Sequence, residues 1–369
     1  MHPILKATLD LGQSVWLDFI SRELMNKGQL ERLMSEGLRG MTSNPTIFQQ
    51  SIAKSSDYDR DIEQGIARGE SAERIFERIA VTDVARAADF IRPVYDQTNG
   101  ADGFVSIEVS PGNAYDAQAT MEEAKRLWKS VNRPNIFVKI PGTDKGMPAI
   151  RAMLAEGINI NITLLFSLAQ YRQVVEMHLL AMEERVKSGK PVDHVASVAS
   201  FFVSRVDSSV DQQLQGKERK DLAGKAAVAN ACLAYRHFLE ITASDRWKKL
   251  AEKGVSLQRP LWASTSTKNP EYSDILYVQE LIAANTVNTM PPNTLEAFKD
   301  HGQPQKSLLR NLEKADQVIS DIRQAGVDFD RATFDLIEDG VKKFADSYRQ
   351  VIAAIEEKSR ARTASRRRV

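Results

Sequence analysis

The sequence predicts an α/β fold, a closed (β/α)8 or TIM barrel with additional helices, for three reasons. Short apolar runs typical of buried strands alternate with longer segments of helical periodicity. Eight such runs occur, the number of strands that closes a parallel barrel. No G-x-G-x-x-G follows the first run and no G-x-x-x-x-G-K-[ST] occurs anywhere, so the nucleotide-binding signatures of open doubly wound sheets are absent.

The elements follow one another in the order strand, helix, strand. Strands are predicted over residues 14–17, 38–41, 103–109, 135–140, 160–166, 195–203, 259–263 and 286–290. Helices are predicted over residues 120–130, 145–156, 168–188, 208–250 and 272–284. Because strands alternate with helices, the strands are expected to be parallel.

Two regions add helices to the eight strand–helix units that a minimal barrel needs. Residues 57–91 predict extra helices between the second and third strands, and further helices follow over residues 303–357. The last of these helices repeats apolar side chains at 3.6-residue spacing, at Ile337, Val341, Phe344, Tyr348, Val351 and Ile355. This face is expected to pack on the barrel, with a dimer contact as the alternative, so the chain is a monomer or a homodimer.

Length and composition suit one large or two ordinary globular domains. It has 369 residues, of which 42% are hydrophobic and 27% charged, and it contains no internal repeat or Pro/Gly-rich linker. We therefore predict a single domain over residues 1–357, followed by a basic, disordered tail over residues 358–369.

The charge is distributed unevenly. The tail holds six Lys or Arg and no acidic residue, so without it the net charge of +1 would become −5. A negatively charged body is a poor partner for nucleic acid, and none is expected to bind the folded part. The tail could contact RNA or acidic surfaces, although a solvated tail is the simpler interpretation.

Residues suited to metal binding or disulfides are sparse. Cys232 is the only cysteine, and the five histidines are scattered without HxH or HExxH spacing, so no metal is expected. The N-terminus shows no secretory h-region, and no apolar run is long enough to cross a bilayer. These features favour a cytoplasmic protein.

A lysine inside an apolar strand is the most informative local feature. Lys139 lies within Ile136-Phe137-Val138-Lys139-Ile140-Pro141-Gly142-Thr143, close to the end of the fourth predicted strand. Lysine is rarely buried, and a buried neutral amine is a nucleophile toward carbonyl groups. Barrel enzymes carry their chemistry at the C-terminal strand ends. Taken alone, this segment also fits an edge-strand lysine that reaches solvent.

Other polar groups recur at the same end of other predicted strands. Each has an ordinary alternative: a helix N-cap over Ser21–Leu24 for Asp18, an Asn-Pro turn for Asn44 and a solvated edge for Glu108. The remaining groups lie in Asn161-Ile162-Thr163, Ser200-Phe201-Phe202, Ser204-Arg205 and Ser264-Thr265-Ser266-Thr267-Lys268. Residues two apart in a strand share a face, so Asn161 is expected to point with Thr163 and Ser200 with Phe202. The accumulation at strand ends predicts one pocket.

These segments resemble the transaldolases over about residues 10–300. The motifs are Thr42-Ser43-Asn44-Pro45, Phe137-Val138-Lys139-Ile140-Pro141, Asn161-Ile162-Thr163-Leu164-Leu165-Phe166 and Phe202-Val203-Ser204-Arg205. The length and the segment Trp262-Ala263-Ser264-Thr265-Ser266-Thr267-Lys268-Asn269 are similar to the longer bacterial subgroup. The resemblance implies a class I Schiff-base transferase with its reactive lysine on strand four, sugar phosphates as substrates, and no metal or organic cofactor.

The resemblance also implies a role for individual residues. The implied catalytic residues are Lys139, Asp18, Glu108 and Thr163. The implied substrate-binding residues are Asn44, Asn161, Ser200, Phe202, Arg205 and Lys268. Lys268 aligns with a phosphate-binding cation that is an arginine in some relatives, so this chain would offer a point charge in place of a fork.

Three alternatives remain open from the sequence. A fructose 6-phosphate aldolase would use the same lysine but release free dihydroxyacetone; in that branch a tyrosine stands at the position of Phe202. A pyridoxal-phosphate enzyme would also form a lysine imine. A non-catalytic barrel would act through its basic tail and would not need Lys139.

Overall fold

The computed structural model describes residues 1–366, with side chains through Arg360. Its centre is one closed barrel of eight parallel strands in sequential order. The strands are β1 Gln13–Leu17, β2 Gly40–Met41, β3 Val105–Glu108, β4 Ile136–Pro141, β5 Ile160–Leu165, β6 Ser197–Phe202, β7 Gln258–Ala263 and β8 Thr286–Met290. The predicted TIM barrel is therefore confirmed.

Helices surround the barrel. They are α1 Pro3–Asp10, α2 Arg22–Asn26, α3 Gln29–Glu36, α4 Pro45–Lys54, α5 Asp59–Ala67, α6 Ala72–Gln97, α7 Ala117–Val131, α8 Met147–Glu156, α9 Leu168–Lys187, α10 Ser204–Leu214, α11 Ala226–Ala243, α12 Asp245–Ala251, α13 Leu276–Glu280, α14 Pro292–His301, α15 Ser307–Leu312, α16 Ala315–Gln324 and α17 Phe329–Arg366. Among these described helices, none has an apolar stretch long enough to cross a membrane.

The barrel closes where the first strand meets the last. Gln13 lies opposite Thr286 and Leu17 opposite Met290, all in parallel register. The lower barrel is filled by large rings: Trp16 stacks with Phe137 at 6.1 Å between ring centroids, and Phe137 stacks with Phe104 at 4.3 Å. Gly40 makes room for the Trp16 indole, because a Cβ there would lie 2.5 Å from the ring. This packed floor leaves the C-terminal end of the barrel for polar groups.

Three predicted elements are shorter or more broken than expected. The 208–250 segment forms α10, α11 and α12, because Gly216 and Gly224 adopt positive φ and Ser244 caps α12. The 272–284 segment is helical only over α13. The strand predicted at 38–41 pairs only over β2, because the Leu38 amide bonds to the carbonyl of Leu33 and ends α3.

Extra helices lie between β2 and β3 and after β8, as the sequence predicts, but with different ends, and α4 precedes the predicted 57–91 insertion. α4, α5 and α6 all fall between β2 and β3, and α6 packs against β3. The apolar face of α17 packs on the protein itself: Val351 and Ile355 are fully buried, and the helix contacts α4, α6 and α10.

The described part of the tail predicted from Lys358 is helical in the structure. α17 continues through this boundary to Arg366. The Lys358 ammonium donates to the Ser55 carbonyl and to Asp59, each at 2.8 Å, which fixes the point where the tail was expected to detach. Residues 367–369, which also belong to the predicted tail, lie outside the described residues.

Candidate active site

A cavity of about 330 Å³ opens at the C-terminal end of the barrel. Eight of the ten predicted site residues line it: Asp18, Asn44, Lys139, Thr163, Ser200, Phe202, Arg205 and Lys268. The other two, Glu108 and Asn161, lie directly against members of this group. The structure thus brings together side chains from β3, β4, β5 and β6, from the loops after β1, β2 and β7, and from the start of α10.

Lys139 lies at the centre of the group and is only 4% exposed. Strand register places Glu108 on one side of it and Asn161 on the other. Its Nζ lies 3.1 Å from the Glu108 carboxylate and donates to the Ser43 carbonyl at 3.1 Å. The lysine is therefore buried but has polar partners, and these offset the free-energy cost of removing its ammonium from water.

The two carboxylates differ in their partners. Asp18 accepts a hydrogen bond from the Thr42 hydroxyl at 2.6 Å, and Thr42 in turn lies 2.7 Å from the hydroxyl of Thr289. Asp18 caps no helix, since Ser21 caps α2 with its own hydroxyl. Glu108 is no solvated edge residue, because its side chain is 4% exposed and faces Lys139.

Burial acts against both charges. Burial raises the pKa of Asp18 above its ordinary value, while Lys139, the Thr42 hydroxyl and Lys268 act in the opposite direction. Burial also raises the pKa of Glu108; the Lys139 ammonium opposes this rise and the Asp18 charge adds to it. Carboxyl groups with raised pKa values beside an amine are suited to proton transfer.

Neutral polar groups form a connected wall on β5 and β6. The Ser200 hydroxyl donates to Asn161 Oδ1 at 2.6 Å, and Asn161 Nδ2 donates to the Ser106 hydroxyl at 3.1 Å. The Thr163 hydroxyl is buried without a hydrogen-bond partner among the described residues. Asn161 by its hydrogen bonds, and Thr163 and Ser200 by lining the cavity, lie on the interior face that the strand alternation predicts.

The Asn44 side chain caps a helix with its oxygen and leaves its nitrogen free to donate hydrogen bonds. Its Oδ1 accepts from the Ile47 amide at 3.0 Å and caps α4, whose first residue is Pro45. The Asn-Pro turn considered from the sequence is thus a helix start. Because the oxygen is used by the cap, the Nδ2 donors are the part of the side chain that can serve the cavity.

Cations occupy the outer part of the cavity. The guanidinium of Arg205 lies 5.7 Å from the ring centroid of Phe202, and its Nη1 is buried without a partner among the described residues. Lys268 lies at the rim of the cavity and donates to the Ser266 hydroxyl at 2.8 Å. Partial burial and the neighbouring Arg205 lower the pKa of Lys268, and Asp18 acts in the opposite direction. Two adjacent cations above a polar floor suit an anion such as a phosphate.

Two residues of the site were not predicted as site residues from the sequence. Thr42 lies in a motif that the sequence analysis quoted, but its bond to Asp18 depends on the pairing of β1 with β2. Phe344 was assigned to the packing face of the last helix, yet it also lines the cavity. Neither role has a local sequence signal, since both depend on contacts between distant segments.

The residues that the structure describes contain no group of three or more His, Cys, Asp or Glu side chains arranged to hold a metal ion. Cys232 is buried away from the cavity, and burial raises the pKa of its thiol to about 12. The described polar groups of the site are thus an amine, carboxylates, amides, hydroxyls and cations.

Comparison with known proteins agrees with this geometry. The profile of the family described as Transaldolase/Fructose-6-phosphate aldolase matches residues 15–355. Similar proteins include the transaldolase of Trichodesmium erythraeum, 42% identical over 95% of this chain and 96% of the relative. The transaldolase of Saccharopolyspora erythraea is 44% identical over 96% and 97%. That of Frankia alni is 46% identical over 93% and 94%. The chain therefore belongs to the transaldolase/fructose-6-phosphate aldolase family of enzymes.

Proposed function

We propose that this enzyme is a transaldolase that transfers a dihydroxyacetone unit between sugar phosphates through a Schiff base on Lys139. The observation that carries the proposal is the buried Lys139 amine, 3.1 Å from Glu108 in a cavity that also holds Asp18. An amine between acid–base groups can add to a ketone and lose water to give an imine.

The first half of the reaction breaks a carbon–carbon bond of the donor. The Lys139 amine attacks the C2 carbonyl of a ketose phosphate, and loss of water from the carbinolamine gives a protonated imine. Asp18 takes the proton of the C4 hydroxyl, the C3–C4 bond breaks, and its electron pair moves into the imine. The aldose phosphate leaves, and the three-carbon unit stays on Lys139.

Neighbouring groups manage protons and orientation. Glu108 and Thr163 are proposed to hold the water that carries protons during carbinolamine and imine formation; the buried, unpartnered Thr163 hydroxyl supports this. Asn44, Asn161 and Ser200 are proposed to hold the hydroxyls of the dihydroxyacetone unit, supported by the hydrogen-bonded wall of Ser200 and Asn161. Fixed donors of this kind need little reorganisation during reaction.

The phosphate of each substrate is assigned to the two outer cations. Arg205 offers a planar fork and Lys268 a point charge, and both line the cavity. If this is right, Arg205→Ala raises KM for fructose 6-phosphate at least about tenfold, the loss of one charge-assisted contact. An unchanged KM would show that the phosphate binds elsewhere.

We infer the physiological reaction from the same chemistry. The donor is sedoheptulose 7-phosphate, the acceptor is glyceraldehyde 3-phosphate, and the products are erythrose 4-phosphate and fructose 6-phosphate, in the cytoplasmic non-oxidative pentose phosphate pathway. The proposed steps use only side chains of the enzyme and require no metal or organic cofactor.

Borohydride trapping tests the covalent step. Reducing the enzyme with fructose 6-phosphate should leave one three-carbon mass adduct on Lys139, and Lys139→Met, which keeps an unbranched apolar side chain, should show none. Lys145→Met is the matched control, because Lys145 is exposed and does not line the cavity. An undiminished adduct on Lys139→Met would refute the assignment.

The alternative with a specific structural test is a fructose 6-phosphate aldolase. Phe202 has no hydroxyl with which to assist release of free dihydroxyacetone, and this favours transfer to an aldehyde. Turnover of fructose 6-phosphate should therefore depend on added erythrose 4-phosphate. Equal glyceraldehyde 3-phosphate production with and without that acceptor would identify an aldolase.

A pyridoxal-phosphate enzyme and a non-catalytic barrel are weaker alternatives. The first predicts absorbance of the purified protein at about 400–430 nm from a lysine imine with the cofactor. The second predicts that Lys139→Met has no phenotype while loss of the tail has one. The cluster of Lys139, Glu108 and Asp18 gives neither alternative any support.

A further inference from the structure

The last helix delivers an aromatic ring to the reactive lysine. Phe344 of α17 lines the cavity, and its ring centroid lies 5.8 Å from Lys139 Nζ. The side chain is 5% exposed. It comes from a segment more than 200 residues after the lysine, outside the strands that supply the polar groups.

The position of this ring is fixed by the contacts of α17. The Thr46 hydroxyl at the start of α4 donates to the Ser347 hydroxyl, one turn after Phe344, at 2.8 Å. One turn before it, the helix backs closely onto β5, because a Cβ at Gly340 would lie 3.0 Å from the Leu164 side chain. These contacts on either side hold α17 over the barrel end, so Phe344 cannot easily move away from Lys139.

An aromatic face near a nitrogen that is charged as a protonated imine has two effects. Its quadrupole favours a cation within about 6 Å of the centroid, and the charged form of Lys139 after imine formation is such a cation. The ring also occupies volume beside the nitrogen and keeps water from that side, which strengthens electrostatic interactions there.

The three-carbon intermediate has two possible fates. An acceptor aldehyde can form the new C3–C4 bond and complete transfer. Alternatively, C3 of the enamine takes a proton from a neighbouring acid to restore the protonated imine, water adds to C2 and gives a proton to a neighbouring base, the C2–N bond breaks as the nitrogen is protonated, and free dihydroxyacetone leaves. An enzyme that waits for an acceptor must slow the second path.

We propose that Phe344 sets the partition of the dihydroxyacetone–Lys139 intermediate between transfer and hydrolysis, as a positioning and water-excluding residue. This inference rests on the proposed Schiff-base function and assigns a part of it to α17. Phe202 and Phe344 would then act together as two apolar walls of a cavity whose other groups are polar.

Phe344→Leu tests the proposal, because it removes the ring and keeps an apolar side chain. Fructose 6-phosphate is supplied without acceptor, and free dihydroxyacetone is measured by glycerol dehydrogenase. The same enzyme is then assayed for transfer to erythrose 4-phosphate. The matched control is Phe334→Leu on the same helix, since Phe334 is 48% exposed and lies outside the cavity.

The ratio of hydrolysis to transfer should rise about three- to tenfold in Phe344→Leu, the range that a lost cation–π contact produces, and should not change in Phe334→Leu. A ratio is insensitive to the fraction of folded enzyme, which separates this effect from simple destabilisation. An unchanged ratio in Phe344→Leu would overturn the proposal.

A second variant tests the proposal in case Phe344→Leu folds poorly. Phe344→Met fills irregular apolar space but has no ring, so it should show the same rise; a normal ratio in this variant would also overturn the proposal. The borohydride adduct on wild-type enzyme separates the two levels of inference. Absence of that adduct refutes the Schiff-base function itself, whereas a normal adduct with an unchanged ratio refutes only the role of Phe344.

Discussion

At the scale of single residues, the site holds two carboxylates where burial disfavours their charge. Desolvation raises the pKa of both Asp18 and Glu108, although each has Lys139 as a charged neighbour. A raised pKa in the folded state means that the ionised form destabilises the fold relative to the unfolded chain. The acid–base groups of the site are thus expected to lower stability.

Asp18→Asn should therefore stabilise the protein while removing its proposed activity. A neutral amide of the same shape removes the cost of a buried charge, and Tm should rise by about 2 °C at neutral pH. The gain should shrink as pH falls through the raised pKa, because the wild-type carboxyl then takes up its proton. Thermal unfolding at several pH values measures both trends.

The control for this stability measurement is Asp10→Asn at an exposed position. Asp10 pairs with Lys6 on α1, where the charge remains in water and contributes little to stability. Its Tm should stay close to the wild-type value. A lower Tm for Asp18→Asn than for Asp10→Asn would contradict the argument that burial dominates at Asp18.

Deprotonation of Lys268 should weaken phosphate binding at a lower pH than deprotonation of an ordinary lysine would. Since partial burial and Arg205 lower its pKa, its charge is lost at a lower pH than that of an ordinary lysine. KM for fructose 6-phosphate should therefore begin to rise below the usual lysine pKa of about 10.4. Lys268→Arg keeps its charge at high pH, so its KM profile should stay flat over this range.

Steady-state kinetics across alkaline pH would measure this difference. Lys145→Arg is the matched control, because this exposed lysine lies outside the cavity and its variant should follow the wild-type profile. Identical profiles for Lys268→Arg and wild type would show that another group sets the limit.

The sequence predicted the direction of a side chain correctly where the pattern within a single strand determines that direction. The interior positions of Asn161, Thr163 and Ser200 follow from alternation along β5 and β6, and the structure places them there. For Asp18, Asn44 and Glu108 the local sequence also fitted a cap, a turn and an edge. Contacts between different strands decide between a structural and a site role for these three residues. Such contacts cannot be predicted from the sequence of one segment.

At the scale of elements, a close contact between β5 and α17 links the barrel to its last helix. β5 shifts register against β6 between Ile162 and Leu165, and Leu164 there has a φ of +61°. This conformation is uncommon for a non-glycine residue and is held by its surroundings. The Leu164 side chain lies directly beneath Gly340.

A paired substitution at Gly340 tests this link. Gly340→Ala gains helix propensity but meets Leu164 at 3.0 Å, so its stability should stay near wild type. Gly340→Val adds branched volume that must lift α17 or displace Leu164, and it should lower the free energy of unfolding by about 1–3 kcal/mol. Urea unfolding of both variants measures the difference, and equal stabilities would contradict the close packing.

Element prediction succeeded for long periodic segments and failed at breaks. α9 and β8 end within one residue of their predicted limits, because each is a continuous pattern between clear stops. The segment 272–284 failed because its conformation depends on a distant partner: the Tyr272 hydroxyl donates to Asp211 at 2.7 Å and ties the loop after β7 to α10. Periodicity within the segment does not include such a contact.

At the scale of the whole molecule, closure of the barrel explains why the site exists. Parallel pairing of β1 with β8 brings Asp18 next to Met290, 272 positions away in the chain, and Thr42 contacts Thr289 for the same reason. The count of eight strands predicted this convergence. It did not predict that α17 would return across the barrel end, since amphipathic spacing gives the buried face of a helix but not its partner.

The far end of α17 gives the last prediction. Lys358 binds the Ser55 carbonyl and Asp59 in a partly buried contact, so Lys358→Ala should lower the free energy of unfolding by about 1 kcal/mol. A chain shortened after Arg360 keeps this contact and Phe344, so its stability and its transfer activity should match those of the full chain. Urea unfolding and the coupled transfer assay on both proteins would test this. Loss of transfer activity in the shortened chain would mean that the basic end itself takes part in function.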